Sequence, residues 1–237
     1  MHQIEKVIIL DEESPIFSAQ ASETGVKIDI GNDLAYYILS CSQALTSVSS
    51  AMKKARLSLT LLNAGYLDAV ATGEQSRSAF IEMLVENGII RVQSIYDRVL
   101  ILANRILDLG ISNESINHNL LVTNENVLRF ELEARLRGIH KACNEYRAIR
   151  NKVIHHDRFS EEEFDQLTLL INADHLSKES GGKQLINEDV LNLVIRNYLE
   201  SKQEELGKYL DRLEGKLFEF YDAVLPIYQY YKAKLRA

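Results

Sequence analysis

Tryptophan is absent from the 237 residues, and proline and cysteine occur only twice each. Two prolines are far below the usual roughly 5%. Long helices tolerate that scarcity, whereas all-β folds built on many turns carry more Pro and Gly. Cys41 and Cys143 are too few for a disulfide framework. Free thiols point to a reducing compartment, so a cytoplasmic location is expected. The opening Met1-His-Gln-Ile-Glu-Lys has no basic region followed by an apolar run, so no secretion signal is expected. No stretch of about 18 apolar residues occurs, which argues against a membrane span. Positive charge is also in short supply. Lys+Arg total 27 against 34 Asp+Glu, a net charge of −7, which excludes a surface coated in basic residues for nucleic acid but leaves room for a local basic site.

What is present is ordinary globular composition with long helical patterning. Hydrophobic residues make up 46% of the chain, enough at this length to build a core without a disulfide or structural metal. Residues 1–31 read as a small N-terminal extended arm or β-hairpin, with β-branched runs at 4–10 and 26–30. Residues 32–237 read as helical. A first helix is expected from Asn32 or Asp33, with a seam Leu34, Ile38, Cys41, Leu45, Val48, Met52, Ala55, Leu59, Leu62. A second covers roughly 74–109, with Asn87-Gly88 as a candidate bend and Gly110 as its stop. After a polar stretch over 112–126, a third helix is expected from about 126 to 156. A fourth starts at Ser160 in a capping box and runs to about 174. A loop follows at 177–187, then a last helix over about 188–234 that Pro226 should kink or divide. The expected fold is therefore all-α, an up-down bundle of long helices with a small N-terminal arm.

The third helical segment stands out by charge. Residues 129–158 hold eight Lys+Arg and four carboxylates, so this segment is +4 and the rest of the chain is −11. On one continuous helix centred on Tyr146, Arg150 falls at about 40°, Arg147 at about 100°, His140 at about 120°, Asn151 at about 140°, and Arg137 and His155 at about 180°. No Asp or Glu between 137 and 155 falls in that arc. The flank is cationic, rich in hydrogen-bonding groups, and suited to an anion such as phosphate. Most basic helix flanks are simply solvated or pair with acidic neighbours. His156 and His175 are left to that reading, and His2 and His118 sit in terminal or loop contexts.

Within the flank lies Arg150-Asn151-Lys152-Val153-Ile154-His155. This Arg-Asn-x-x-x-His run on a long helix resembles the signature of the HEPN superfamily, and the wider text from Tyr146 to Asp157 is similar to bacterial members. Helical organisation supports the resemblance over about 32–235. The resemblance implies an endoribonuclease, toxin-like or defence-associated, that needs no metal or other cofactor. Attack by the RNA 2′-hydroxyl would leave a 2′,3′-cyclic phosphate and a 5′-hydroxyl. It implies proton transfer by His155, phosphate stabilisation by Arg150, and a positioning role for Asn151. Arg147 and His140 would lie along the RNA approach. It also implies a homodimer with two motifs around one cleft, and a nucleotidyltransferase-like antitoxin as partner.

Two other readings use the same residues. One is a non-catalytic helical module that binds nucleotide, RNA or a partner protein. The other is a structural protein whose basic flank pairs with its own acidic helices. The sequence has no Gly-rich phosphate loop, no CxxC pair and no nucleophile elbow. His155, His156 and Asp157 diverge on a helix, so no metal site is expected there.

Overall fold

The computed structural model describes residues 2–23, 25–70, 77–155 and 158–237, with the side chains of Ser22 and His155 outside that description. The fold is all-α. Among the described residues there are ten α-helices and one two-stranded antiparallel hairpin. The helices are α1 (Gln3–Ile9), α2 (Asp33–Leu61), α3 (Ala64–Val70), α4 (Arg77–Ile106), α5 (His118–Val122), α6 (Glu125–Arg129), α7 (Glu133–Cys143), α8 (Arg147–His155), α9 (Glu162–Glu179) and α10 (Glu188–Arg236). The hairpin pairs β1 (Gln20–Ser22) with β2 (Gly25–Lys27). No helix among the described residues is long and apolar enough to cross a membrane. The chain forms two compact units, and α2, α4 and α10 each contribute a portion to both.

The first unit comprises Met1–Met52, Gln93–Asn144 and Arg212–Ala237. Its core includes Ile38, Leu45 and Val48 of α2, Val99 and Ile106 of α4, Leu136 and Ile139 of α7, and Leu213, Phe220 and Val224 of α10, all fully or almost fully buried. Asn32 caps α2 as its side chain accepts from the Ala35 amide at 2.8 Å. The segment 4–10, read as a strand or part of an extended arm, is mostly helix α1. Ile4 and Ile8 are one turn apart and completely buried. Burial of two such side chains is worth about 3–6 kcal/mol, more than the ~1 kcal/mol spanned by intrinsic strand preference. Three tethers fix the segment. Ser42 donates to the Ile8 carbonyl at 2.8 Å. Tyr228 donates to Asp11 at 2.7 Å. Lys232 also reaches Asp11 at 2.7 Å.

The second unit comprises Lys53–Val92 and Glu145–Asp211. Leu59, Leu67, Ile81, Val85, Phe159, Phe164, Ile195 and Leu206 are buried in it. α4 runs through Asn87-Gly88 and α10 through Pro226, with no division at either point. The expected start of the second helix at 74–76 lies outside the described residues. The capping box at Ser160 does not form. Ser160 donates to the Asp165 carboxylate at 2.7 Å, and α9 begins one residue later than such a cap requires.

The largest difference concerns the third helix. It is not continuous over 126–156 but divides into α6, α7 and α8. Glu131 adopts φ of 55°, in the left-handed region, between α6 and α7. Asn144 closes α7 because its side-chain amide donates to the His140 carbonyl at 2.8 Å, competing with helical continuation. The angular count that placed Arg137 and His140 on one flank with Arg150 and His155 therefore does not hold.

Candidate functional site

α8 begins at Arg147 and carries Arg147, Arg150 and Lys152 with no Asp or Glu. Tyr146, just before it, anchors the helix. Its ring lies 4.8 Å from Tyr209, and its hydroxyl donates to Glu205 at 2.5 Å. Ile149, Arg150 and Val153 are half-buried on the same side, as a seam set by Tyr146 requires. Arg147 and Lys152 are exposed, and Ile154 is 46% exposed.

Arg150 donates from Nη1 to Asn151 Oδ1 at 2.9 Å. It makes no ion pair among the described residues, so the purely structural reading, in which it would pair with an acidic helix, finds no support there. Two carboxylates of this unit, Glu161 and Glu205, are engaged by other groups. Lys202 is buried and binds Glu161 at 2.7 Å and Glu205 at 2.5 Å. Tyr198 also donates to Glu161, at 2.8 Å. Burial acts to raise the Glu205 carboxyl, but hydrogen bonds from Lys202 and Tyr146 outweigh it and hold the carboxyl below its ordinary value. Burial likewise opposes the charge on Lys202, yet its two carboxylate partners raise its pKa. Glu161 and Glu205 are thus satisfied by Lys202 and two phenols, and among the described residues the Arg150 guanidinium bonds only to the Asn151 amide.

Asn151 and His155 are four residues apart and share one face of α8. The imidazole of His155 lies outside the described part of the structure, as do His156 and Asp157. Arg150 and His155 are about 140° apart on an ideal helix.

His140 lies on α7 in the first unit, in a cluster that spacing did not reveal. Its ring stacks on His118 at 4.2 Å with a 20° interplanar angle, and lies 4.8 Å from Tyr96. Tyr96 Oη and His118 Nδ1 are 2.5 Å apart. His118 opens α5, where Asn117 caps by accepting from the Leu120 amide at 3.0 Å. Burial, then the nearby His140 and Arg137, push the His118 pKa below the ordinary imidazole value. Burial raises the Tyr96 phenol well above its usual range, so it stays protonated. Arg137 pairs with Glu133 at 2.8 Å, so the basic side of α7 is partly neutralised. Nothing in the sequence signals that Tyr96 meets His118, read as a loop histidine, because neighbours 22 residues apart leave no mark in a local pattern. Among the described residues, no group of three or more His, Cys, Asp or Glu is placed to hold a metal ion.

A family model described as Cthe2314-like HEPN matches residues 37–190, more than half of the chain. No curated protein and no solved structure matches significantly. The matched span starts in α2, ends at the beginning of α10 and encloses the Arg150-Asn151-x-x-x-His155 run on α8; the chain belongs to the HEPN family.

Proposed function

We propose that the chain is an endoribonuclease in which the RNA supplies its own nucleophile and no metal ion is needed. The observation that carries this reading is Arg150, half-buried on a helix without carboxylates, its only hydrogen bond among the described residues going to the neutral Asn151. A partly buried cation with no counter-ion among the described residues favours an anion. A guanidinium can grip a phosphate through two parallel N–H donors.

Cleavage requires three things of the protein. A base takes the proton of the 2′-hydroxyl, a cation stabilises the charge that builds on phosphorus-bound oxygens, and an acid protonates the departing 5′-oxygen. An imidazole with a reference pKa of about 6.5 serves either proton step near neutrality. We assign His155 to proton transfer, Arg150 to charge stabilisation, Asn151 to orientation of the guanidinium, and Arg147 to contact with flanking phosphates. His140 belongs to the Tyr96–His118 cluster and is assigned to RNA binding there. One motif offers a single imidazole and an Arg and His splayed by about 140°. A twofold homodimer would bring two of each around one phosphate, separate the acid from the base, and cover Ile154. A nucleotidyltransferase-like antitoxin is the partner class implied for a toxin of this family.

The test is incubation of single-stranded RNA with the purified protein in EDTA, comparing wild type, Arg150→Ala and His155→Ala. The expected result is cleavage to 2′,3′-cyclic phosphate and 5′-hydroxyl ends by wild type only. Equal cleavage by the variants would remove the site assignment. RNA binding without cleavage would make the protein a non-catalytic module. Sedimentation velocity reads the dimer, and a monomer that cleaves would refute the composite site.

A further inference from the structure

The Tyr96–His118–His140 cluster walls a cavity of about 340 Å³ within the first unit. That volume lies within the range of small-molecule pockets, about 300–1,000 Å³. Its apolar and ring surface comes from Tyr96, Leu100, Ile116, His118 and His140. Its polar groups are Gln93, Asp97, Asn113, Asn117 and Asn144, and among the described residues its lining holds no Lys or Arg. An isolated phosphate therefore has no cation to meet inside it. A flat, neutral ring with hydrogen-bonding edges suits it better.

The free valences sharpen the class of ring. Asn117 accepts from the Leu120 amide and gives one N–H to the Ser115 carbonyl, which leaves it one N–H. Asn113 accepts from Arg105 at 3.1 Å and keeps its amide donors. Asn144 gives one N–H to the His140 carbonyl and keeps its oxygen and its second N–H. Asp97 is exposed and makes no ion pair or hydrogen bond among the described residues. Two carboxylate oxygens side by side accept best from two adjacent N–H groups. Among the RNA bases only guanine offers such a pair, at N1 and N2. Adenine and cytosine present an amino group beside an acceptor, and uracil presents a single imino N–H. Imidazole and phenol rings give a stacking platform for an unstacked base.

We propose that this cavity binds an unpaired guanine of the RNA substrate, with Asp97 accepting from its N1–H and N2–H groups and the stacked His118–His140 pair, with Tyr96, forming the wall beside it. The RNA class rests on the ribonuclease reading; the guanine preference rests on the cavity alone.

The test is titration of the full chain with GMP and UMP, which share ribose and phosphate. Binding is read by calorimetry and by the side-chain ¹H–¹⁵N signals of the histidines, in wild type and in Asp97→Asn, whose fold is checked by circular dichroism. GMP should bind about tenfold or more tightly than UMP and shift the His118 and His140 signals. Asp97→Asn should erase that difference. Equal binding of GMP and UMP, or a preference that survives Asp97→Asn, overturns the pocket. Guanine-selective binding in a protein that fails to cleave RNA upholds the pocket and removes the nuclease. Cleavage without base preference or GMP binding does the reverse.

Discussion

Replacement of Lys202 by Met tests the electrostatic frame in which a buried ammonium engages Glu161 and Glu205. The Lys202 side chain is 9% exposed, and its ammonium lies 2.7 Å from Glu161 and 2.5 Å from Glu205. It also sits 5.9 Å over the Phe159 ring. Removal of one partner from a buried ion pair costs about 3–5 kcal/mol because the other charge is left unpaired. Glu205 is 44% exposed and Glu161 26%, so water relieves part of that cost. The low end, about 3 kcal/mol, is expected for Lys202→Met. At roughly 2–4 °C per kcal/mol for a chain of this size, the melting temperature should fall by about 6–12 °C. The pH dependence has a definite sign. Glu205 is held below its ordinary value in the folded state, so its contribution is present above the unfolded carboxyl pKa, about 4.3. That contribution disappears as the pH falls through the lowered folded value. The stability gap between wild type and variant, measured by urea denaturation, should be full at pH 7 and shrink below about pH 4. A gap under about 1 kcal/mol at pH 7, or one that stays constant down to pH 3.5, would refute the reasoning.

Arg150→Ala should separate activity from stability: one partly exposed hydrogen bond is worth about 1 kcal/mol or less, whereas loss of the charge that stabilises the transition state should cut cleavage about 100-fold or more. A large loss of stability would make Arg150 structural. Asp11→Ala should loosen the N-terminal helix by roughly 2 kcal/mol, since it strands the Tyr228 hydroxyl and one contact of Lys232; amide exchange across α1 should accelerate first, and unchanged protection would contradict the tether. Burial pushes the Cys41 and Cys143 thiols up to about 12, so neither should react with a thiol reagent at pH 8 until denaturant is added. Rapid modification of the native protein would exclude that burial.

Much of the fold was legible in one dimension. The seam from Ile38 to Leu59 is the buried face of α2, and the residues from Leu206 to Ile227 at the same helical spacing form that of α10. Periodicity records such faces directly, because every turn of a long helix repeats the same choice of inside or outside. The Arg150-to-His155 spacing was legible for the same reason: α8 preserves phase over its nine residues. Phase failed where helices stop for tertiary reasons. Asn144 turns back on the His140 carbonyl and Glu131 takes a left-handed backbone, so Arg137 and His140 part from α8. At Ile4 and Ile8, burial decided against local strand preference.

The sequence by itself determined the all-α class, the long helical seams and the placement of Arg150, Asn151 and His155 on one helix, since local hydrogen bonding and helical periodicity act over a few residues. Only the tertiary structure decided which charges meet. Lys202 takes Glu161 and Glu205, Tyr146 joins them, and Tyr96 meets His118 and His140 around a cavity. Those encounters depend on where distant segments are packed, and electrostatic and stacking energies follow distance in space rather than separation along the chain.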